Sequence, residues 1–241
     1  MGKKSDEKLI VKGKRLDGRE LEELRPIEMK VGVVNRADGS AMVRFGDTQA
    51  VVAAYGPREL FSKRLQKVDK GILQCRYNMA PFSVTDRKSP GPDRRSKELS
   101  KVIRLALTPV LFLENFPKAT LDVYVEIIQA DGSTRVTGIN AASIALANAG
   151  VEMKDLIAAC SVGKIEDKLI ADLCGKEDNN SEADMAVAML GRKKSITLLQ
   201  MDGTLTKDEI MQLLKMAEEN CGKIYEMQKK VLKEIYRDVE E

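Results

Sequence analysis

An α+β fold is what three features of this 241-residue chain predict. Alternating apolar and polar runs pair off as hairpins around short turns. Helical apolar periodicity falls between groups of strands, not after every strand, so a regular βαβ alternation is absent. The order strands-then-helix occurs twice, before and after about Gly150. It predicts two similar strand-and-helix halves with mixed sheets packed against helices, although no sequence-level repeat accompanies it. The expected division is an N-terminal arm over 1–20, a first half over 21–150, and a second half over 151–241 that includes a C-terminal helix.

The first 20 residues are polar and charged, the composition of an arm. Ile27 to Val33 and Ser40 to Phe45 alternate and are joined through Ala37-Asp38-Gly39, a hairpin signal. Gly46-Asp47 turns the chain into Thr48 to Tyr55, an Ala/Val-rich strand expected to be buried on both faces. Ile72 to Ala80 is a further apolar stretch. A Pro-containing loop, 81–92, leads to Asp93, which caps a helix with Leu99, Val102, Ile103, Ala106, Leu107, Val110 and Leu111 on one face. Pro109 kinks or restarts it, and Phe116-Pro117 ends it.

Leu121 to Ile128 is a strand of β-branched and aromatic residues. A second helix opens at Asp131-Gly132-Ser133-Thr134, runs to about Ala149 and closes on Gly150. Its small face (Ala141, Ala142, Ala145, Ala147) suits close approach to a sheet or a ligand. Strands are expected at Ala159 to Ile165, Lys168 to Asp172, Ala183 to Leu190 and Ser195 to Met201. Thr206 caps a final helix with an apolar stripe of Ile210, Leu214, Ala217, Cys221, Ile224, Val231 and Ile235.

Composition narrows the chemistry. There is no histidine and no tryptophan. Ser-His-Asp and Cys-His hydrolysis, His-ligated metals and a histidine general base are therefore excluded. The four cysteines (Cys75, Cys160, Cys174, Cys221) show no close metal-ligand spacing and read as buried thiols. No secretory segment follows Met1 and no apolar run approaches the roughly 18 residues of a membrane span, so a cytoplasmic setting is expected. The net charge of +3 hides a segregation. Arg58 to Arg104 carries 13 Lys/Arg against 5 Asp/Glu, whereas Glu166 to Asp184 carries 7 acidic and 2 basic residues. A basic segment of this size suits a polyanion such as nucleic acid, or else forms a solvated face.

Three constellations have chemical potential. Gly132-Ser133-Thr134-Arg135 begins a helix directly after a strand, where free N–H groups and the dipole favour an anion. It matches neither a Walker A loop nor GxGxxG, and ordinary capping by Asp131 or Ser133 would use the same residues. Arg94-Arg95 lies in the first turn of the other helix, where cations are disfavoured unless an anion joins them. Solvation of both arginines is the competing explanation. Asp178 and Asp184 lie across a turn, the second at the edge of an apolar strand. Such a pair can hold Mg²⁺ with its waters or supply an acid. Alternatively, Asp178 is a turn residue and Asp184 a strand-end cap.

Taken in order, these pieces carry a resemblance. They are Arg15-Leu16-Asp17-Gly18-Arg19, Arg25-Pro26-Ile27, Gly39-Ser40-Ala41, Gly46-Asp47-Thr48, Arg94-Arg95, the run from Gly132 to Ser143, and the pair Asp178 and Asp184. From about Arg15 to Tyr236 the chain resembles the RNase PH superfamily of phosphorolytic 3′→5′ exoribonucleases. Within it, the chain is most similar to the catalytic RNase PH-like subunits of archaeal exosomes.

The resemblance implies an RNase PH-like fold and an inorganic phosphate site at Gly132, Ser133, Thr134 and Arg135. Arg95 would bind phosphate and the 3′-terminal RNA phosphates, with Arg94 beside it. Asp178 and Asp184 would be catalytic and bind Mg²⁺ or Mn²⁺. The family more usually shows Gly-Thr-Arg where this chain has Gly-Ser-Thr-Arg, so either hydroxyl is a candidate phosphate ligand. The implied partners are the 3′ end of single-stranded RNA, an inactive RNase PH-like paralogue alternating in a hexameric ring, and RNA-binding cap proteins. No membrane is implied.

The expected reaction is RNA(n) plus phosphate giving RNA(n−1) plus a nucleoside 5′-diphosphate, reversible as RNA tailing. Asp184, or a water on the metal, protonates the leaving 3′-oxygen. Lys63, Arg64 and Lys67 are candidate RNA-track residues or solvated loop charges. Tyr77 and Phe82 can stack bases, but core packing is the expected role of both. A self-sufficient homohexameric tRNA-trimming enzyme and a non-catalytic RNA-binding ring subunit are the alternatives. The missing histidine fits phosphorolysis, because inorganic phosphate is substantially ionised near neutral pH and needs no base.

Overall fold

The computed structural model describes residues 9–11 and 13–237. The expected arm therefore lies partly outside the described residues. Two short strands, β1 (Ile10–Val11) and β2 (Lys14–Arg15), form a small antiparallel pair. The first half then contains β3 (Ile27–Val31), β4 (Gly39–Phe45), β5 (Thr48–Glu59), β6 (Ile72–Met79), α1 (Arg94–Leu107), β7 (Ala119–Gln129) and α2 (Thr134–Asn148). The second contains β8 (Ile157–Ile165), β9 (Lys168–Ala171), α3 (Gly175–Asn180), β10 (Ala183–Leu190), β11 (Ile196–Gly203) and α4 (Lys207–Arg237). The α+β architecture with mixed sheets is as expected.

The first sheet has the order β3-β4-β5-β7-β6. Its hairpins are antiparallel, while β6 and β7 run parallel and are connected through α1. A parallel pair needs such a crossover, since a tight turn cannot reverse the chain twice. The second sheet, β11-β10-β8-β9, is antiparallel throughout. Along β5, Ala50, Val52 and Ala54 are buried while Val51, Ala53 and Tyr55 are half-buried. The expectation of burial on both faces therefore fails: helices cover one face only, and the period of two reappears in the burial.

Local signals set the helix ends. The Asp93 carboxylate accepts from the Ser96 N–H at 2.6 Å, and Ser96 Oγ accepts from the Asp93 N–H at 2.9 Å, a reciprocal cap for α1. At Pro109 the helix gives way to a 3₁₀ turn over Thr108–Val110, the expected restart. Thr206 and Glu209 cap α4 in the same reciprocal manner. In α4 the stripe centres on Leu213, Ala217, Cys221 and Ile224, with Leu213 fully buried and Leu214 only half-buried.

Helix α2 packs between the two sheets, and most of its residues are buried. Its small side chains allow close approach. A Cβ on Gly39 of β4 would lie 2.2 Å from the Ala149 nitrogen, so only glycine fits there. Burial of Ile139, Ile144 and Leu146 contributes about 1.5–3 kcal/mol each. Asn140 exchanges hydrogen bonds with Ala159, at 2.7 and 2.9 Å, and accepts one from Gln228 at 3.1 Å. These bonds tie α2, β8 and α4 together through buried amides, of which Asn140 is satisfied on both its oxygen and its nitrogen.

The expected free arm is a correction in its described part. Leu9 and Ile10 pack with Ile165, Ile170 and Leu173 of the second half. Arg15, Arg19 and Arg25 are buried. Arg15 donates to Glu177, from Nε at 2.7 Å and again from Nη2. Arg25 grips both oxygens of Asp172, at 2.9 and 2.7 Å. Arg15 and Arg25 are thus paired with residues about 150 positions away.

Candidate active site

An open cleft of 330 Å³ lies where the start of α2 meets the second sheet. Arg95 of α1, Ser133, Thr134 and Arg135 at the start of α2, Asp178 of α3 and Asp184 of β10 all line it. Gly132 supplies the bend before them. Arg94 is exposed beside Arg95 but does not line the cleft, and Lys63, Arg64 and Lys67 are exposed on the loop between β5 and β6. The sequence reading missed Glu98, Ser161, Gln200 and Asp202, which also line the cleft.

The loop before α2 has an unusual backbone. Gly132 and Ser133 adopt φ of +72° and +54°, in the left-handed region. A Cβ at Gly132 would lie 2.7 Å from the Cys174 carbonyl carbon, so the position requires glycine for both space and angle. Thr48 Oγ1 accepts from the Asp131 N–H at 2.8 Å and donates to the Gly132 carbonyl at 2.7 Å. This fixes the bend from the side.

The expected capping of α2 by Asp131 or Ser133 does not occur. No side chain among the described residues caps the helix. Asp131 Oδ1 instead accepts from the Gly175 N–H at 3.0 Å, behind the loop. Ser133 Oγ donates to the Leu173 carbonyl at 2.8 Å and lies 2.6 Å from Ser161 Oγ. Ser133 has one hydroxyl hydrogen and spends it on Leu173, so Ser161 is the donor between the two hydroxyls. The first N–H groups of α2 thus point into the cleft without a side-chain partner. Thr134 Oγ1 accepts from the Tyr77 hydroxyl at 2.9 Å, which leaves its own hydrogen uncommitted.

Asp178 lies on α3, a helical turn where the sequence suggested an irregular one. Glu177 holds that turn in place: it accepts from Arg15 and from the Cys174 N–H at 2.8 Å. Burial opposes its charge, but the Arg15 guanidinium and that N–H hold the Glu177 carboxyl below its ordinary range. Among the described residues, Arg95, Arg135, Asp178, Asp184 and Asp202 form no ion pair within 4.0 Å. The Arg135 Nε and the Gln200 Oε1 are buried without a partner. The charges of the cleft are therefore available to a ligand.

Those charges also perturb one another. Burial raises the Asp178 pKa against the pull of Arg95 and Arg135. Burial also raises that of Asp184, aided by the charges of Asp178 and Asp202. Asp202 faces Asp184 directly across the β10–β11 ladder, a like-charge placement that costs stability. Burial lowers the Arg135 pKa, yet a guanidinium remains charged at neutral pH.

A stability prediction follows from the carboxylates. The folded chain holds the Asp178 and Asp184 protons more tightly than the unfolded chain does. Their contribution to stability is full at low pH and is lost as the pH rises from about 4 towards their raised values. Asp184→Asn is expected to raise the urea midpoint at pH 7 and to narrow the gain at pH 4. A lower midpoint at pH 7 would contradict the assignment.

No group of three or more His, Cys, Asp or Glu residues among the described residues is placed to cage a metal. Two carboxylates facing an open cleft still fit a Mg²⁺-type ion, which keeps most of its waters and uses substrate oxygens.

Tyr77 is in the core, as expected, but Phe82 is 72% exposed, so core packing is the wrong assignment for it. No helix among the described residues is long and apolar enough to cross a membrane.

Comparison with known proteins agrees with this architecture. A model of the 3′ exoribonuclease family matches as domain 1 over residues 23–152 and as domain 2 over residues 155–220. The exosome complex component Rrp41 of Thermococcus onnurineus is 54% identical over 242 residues, covering 100% of this chain and 97% of the relative. The protein of the same name from Pyrococcus furiosus is 56% identical, over 93% of this chain and 90% of its own.

Among solved structures, rice Rrp46 superposes with a TM-score of 0.83 at 24% identity, over 91% of this chain and 100% of that one. An Archaeoglobus fulgidus exosome with RNA bound to the active site gives 0.78 at 22% identity, over 89% and 92%. At such identities the structures establish the shared fold. With both family domains matched in order and full-length relatives above 50% identity, the chain belongs to the RNase PH family of 3′ exoribonucleases.

Proposed function

We propose that the chain is the phosphorolytic 3′→5′ exoribonuclease subunit of an exosome-type ring. The carrying observation is the uncapped start of α2, which opens beside two unpaired arginines and faces two unpaired carboxylates. An anion and a proton source are thereby offered on opposite sides of one cleft. The relatives named as exosome components support the assembly.

Inorganic phosphate sits on the N–H groups of α2, on Arg135 and on the Thr134 hydroxyl, with Gly132 and Ser133 shaping the loop. Arg95 spans this phosphate and the terminal RNA phosphate, and Arg94 continues the contact along the RNA. One phosphate oxygen attacks the terminal phosphorus in line as its bond to the 3′-oxygen breaks. Asp184, whose proton affinity burial raises, or a water held beside it when its carboxylate is occupied by a cation, protonates that oxygen. RNA(n−1) and a nucleoside 5′-diphosphate leave. Positioning and charge compensation carry most of the acceleration, as for other phosphoryl transfers.

Asp178 and Asp184 are the residues that would hold Mg²⁺ or Mn²⁺. That ion supplies charge neutralisation at the two phosphorus centres when bound. Lys63, Arg64 and Lys67, exposed and without ion pairs among the described residues, extend a basic track for single-stranded RNA. The proposed partners are an inactive RNase PH-like paralogue completing the hexameric ring and RNA-binding cap proteins. The proposed setting is the cytoplasm, supported by the four cysteines, all of them free.

The test is product identity. The chain, assembled with its partner subunits and given single-stranded RNA, is expected to release nucleoside diphosphates only when phosphate is supplied. Monophosphates released without phosphate would mean hydrolysis and would overturn the proposal.

A further inference from the structure

We propose that Tyr77 is the positioning residue that aims the Thr134 hydroxyl at bound phosphate and couples the two helix starts of the site. The inference rests on the reading of the cleft as a phosphate site and adds a residue that does not itself line it.

Tyr77 is 2% exposed and lies on β6, beneath the loop. Its hydroxyl donates to Thr134 Oγ1 at 2.9 Å. Its backbone N–H donates to Ser100 Oγ of α1 at 2.8 Å, and Ser100 donates in turn to the Ser96 carbonyl at 2.6 Å. Ser96 closes the α1 cap on Asp93. One residue thus joins the helix turn that carries Arg95 to the helix start that carries Arg135.

The direction of the hydrogen bonds gives this geometry its chemical content. A phenol buried away from water stays protonated at neutral pH, and burial raises its pKa further. Its hydrogen needs an acceptor in the core, and among the described residues Thr134 Oγ1 is the one within reach, so Tyr77 donates and Thr134 Oγ1 accepts. A hydroxyl that accepts from behind has its own hydrogen free for a second partner. Thr134 is at the first position of α2, where the N–H groups open onto the cleft. The neighbouring Ser133 hydroxyl cannot replace it, because its hydrogen is committed to the Leu173 carbonyl. Tyr77 thus presets the one hydroxyl of the loop that can still donate to an anion, without touching the anion itself.

Tyr77→Phe removes one oxygen and keeps the ring, so it separates aiming from packing. In the assembled ring it is expected to raise the phosphate KM about tenfold, as one lost charge-assisted hydrogen bond does, and to leave the RNA dissociation constant within twofold. Thr134→Val is expected to show the same loss, and Tyr77→Phe added to Thr134→Val to cause no further change. Thr134→Ser, which keeps the hydroxyl, is expected to recover most of the affinity.

Equal losses in phosphate and RNA binding, or additive effects of the two substitutions, would show that Tyr77 only supports the fold and would overturn the proposal. A wild-type ring that degrades RNA without phosphate would overturn the reading of the site, and this inference with it.

Discussion

Asp184→Ala is expected to reduce nucleoside diphosphate release by roughly 10²–10⁴-fold, the usual contribution of a positioned general acid, while RNA binding persists. The expectation follows from where the residue sits. Asp184 is on β10, fixed on one side by β8 and on the other by β11. Its carboxyl lines the cleft with no cation among the described residues within ion-pair distance, and burial and neighbouring carboxylates raise its proton affinity.

A carboxylate kept for structure would show the reverse, a partner and a lowered pKa, as Glu177 does with Arg15. RNA affinity comes mainly from cationic contacts to its phosphates, which the substitution leaves in place. Filter binding at fixed salt, alongside a single-turnover assay, separates the two effects. An Asp184→Ala ring retaining more than a tenth of the wild-type rate would sink the acid assignment.

The largest expected effect on stability is at Arg25. Arg25→Met is expected to cost about 3–5 kcal/mol, the penalty for leaving a buried charge without its partner. Asp172 is 1% exposed; its two carboxylate oxygens accept from the Arg25 guanidinium, and Oδ2 also accepts from the Arg25 backbone N–H at 2.8 Å. The same guanidinium donates to the Asp131 carbonyl at 2.6 Å, directly before the anion loop. Without the guanidinium, Asp172 keeps the backbone N–H of residue 25 but has no cation nearer than Arg19 Nη1 at 3.5 Å among the described residues. Urea denaturation should show a lower midpoint with an unchanged slope. Arg25→Met combined with Asp172→Leu is expected to recover part of the loss. A midpoint within experimental error of wild type would mean that the pair is not energetically coupled.

What could be read from the sequence divides by the range of the interaction. The cap at Asp93, the restart at Pro109 and the hairpin through Asp38-Gly39 depend on residues a few positions apart, and periodicity and turn chemistry report them directly. Helix α3 has no apolar period in Gly-Lys-Glu-Asp-Asn-Asn. A local Cys174–Glu177 cap starts it, but the Arg15 that holds Glu177 in place lies 162 positions away and leaves no local signal. The same distance hid the packing of residues 9–25, whose arginines look solvated until their carboxylates are found.

In the cleft, the six residues that converge came from recognisable pieces in fixed order. Asp202 and Gln200 carried no such mark, because they are ordinary polar residues at the end of an edge strand. Ser133 shows a further limit. A serine at a helix start reads as a cap, but its backbone is left-handed and its hydroxyl turns away to Leu173.

The long-range clamp of Arg15 and Arg25 on residues 172–177 also bears on the order in which the chain is made. The ribosome delivers residues 15–25 early, yet their partners emerge only after about 150 further residues. Until then Arg15 lacks Glu177, Arg25 lacks Asp172, Asp178 has not been synthesised, and the first half cannot form the cleft. Closing so large a loop is slow and comes late in folding. A nascent chain still tethered to the ribosome therefore carries the loop before α2 without Asp178 and Asp184, and the cleft is complete only with the second half.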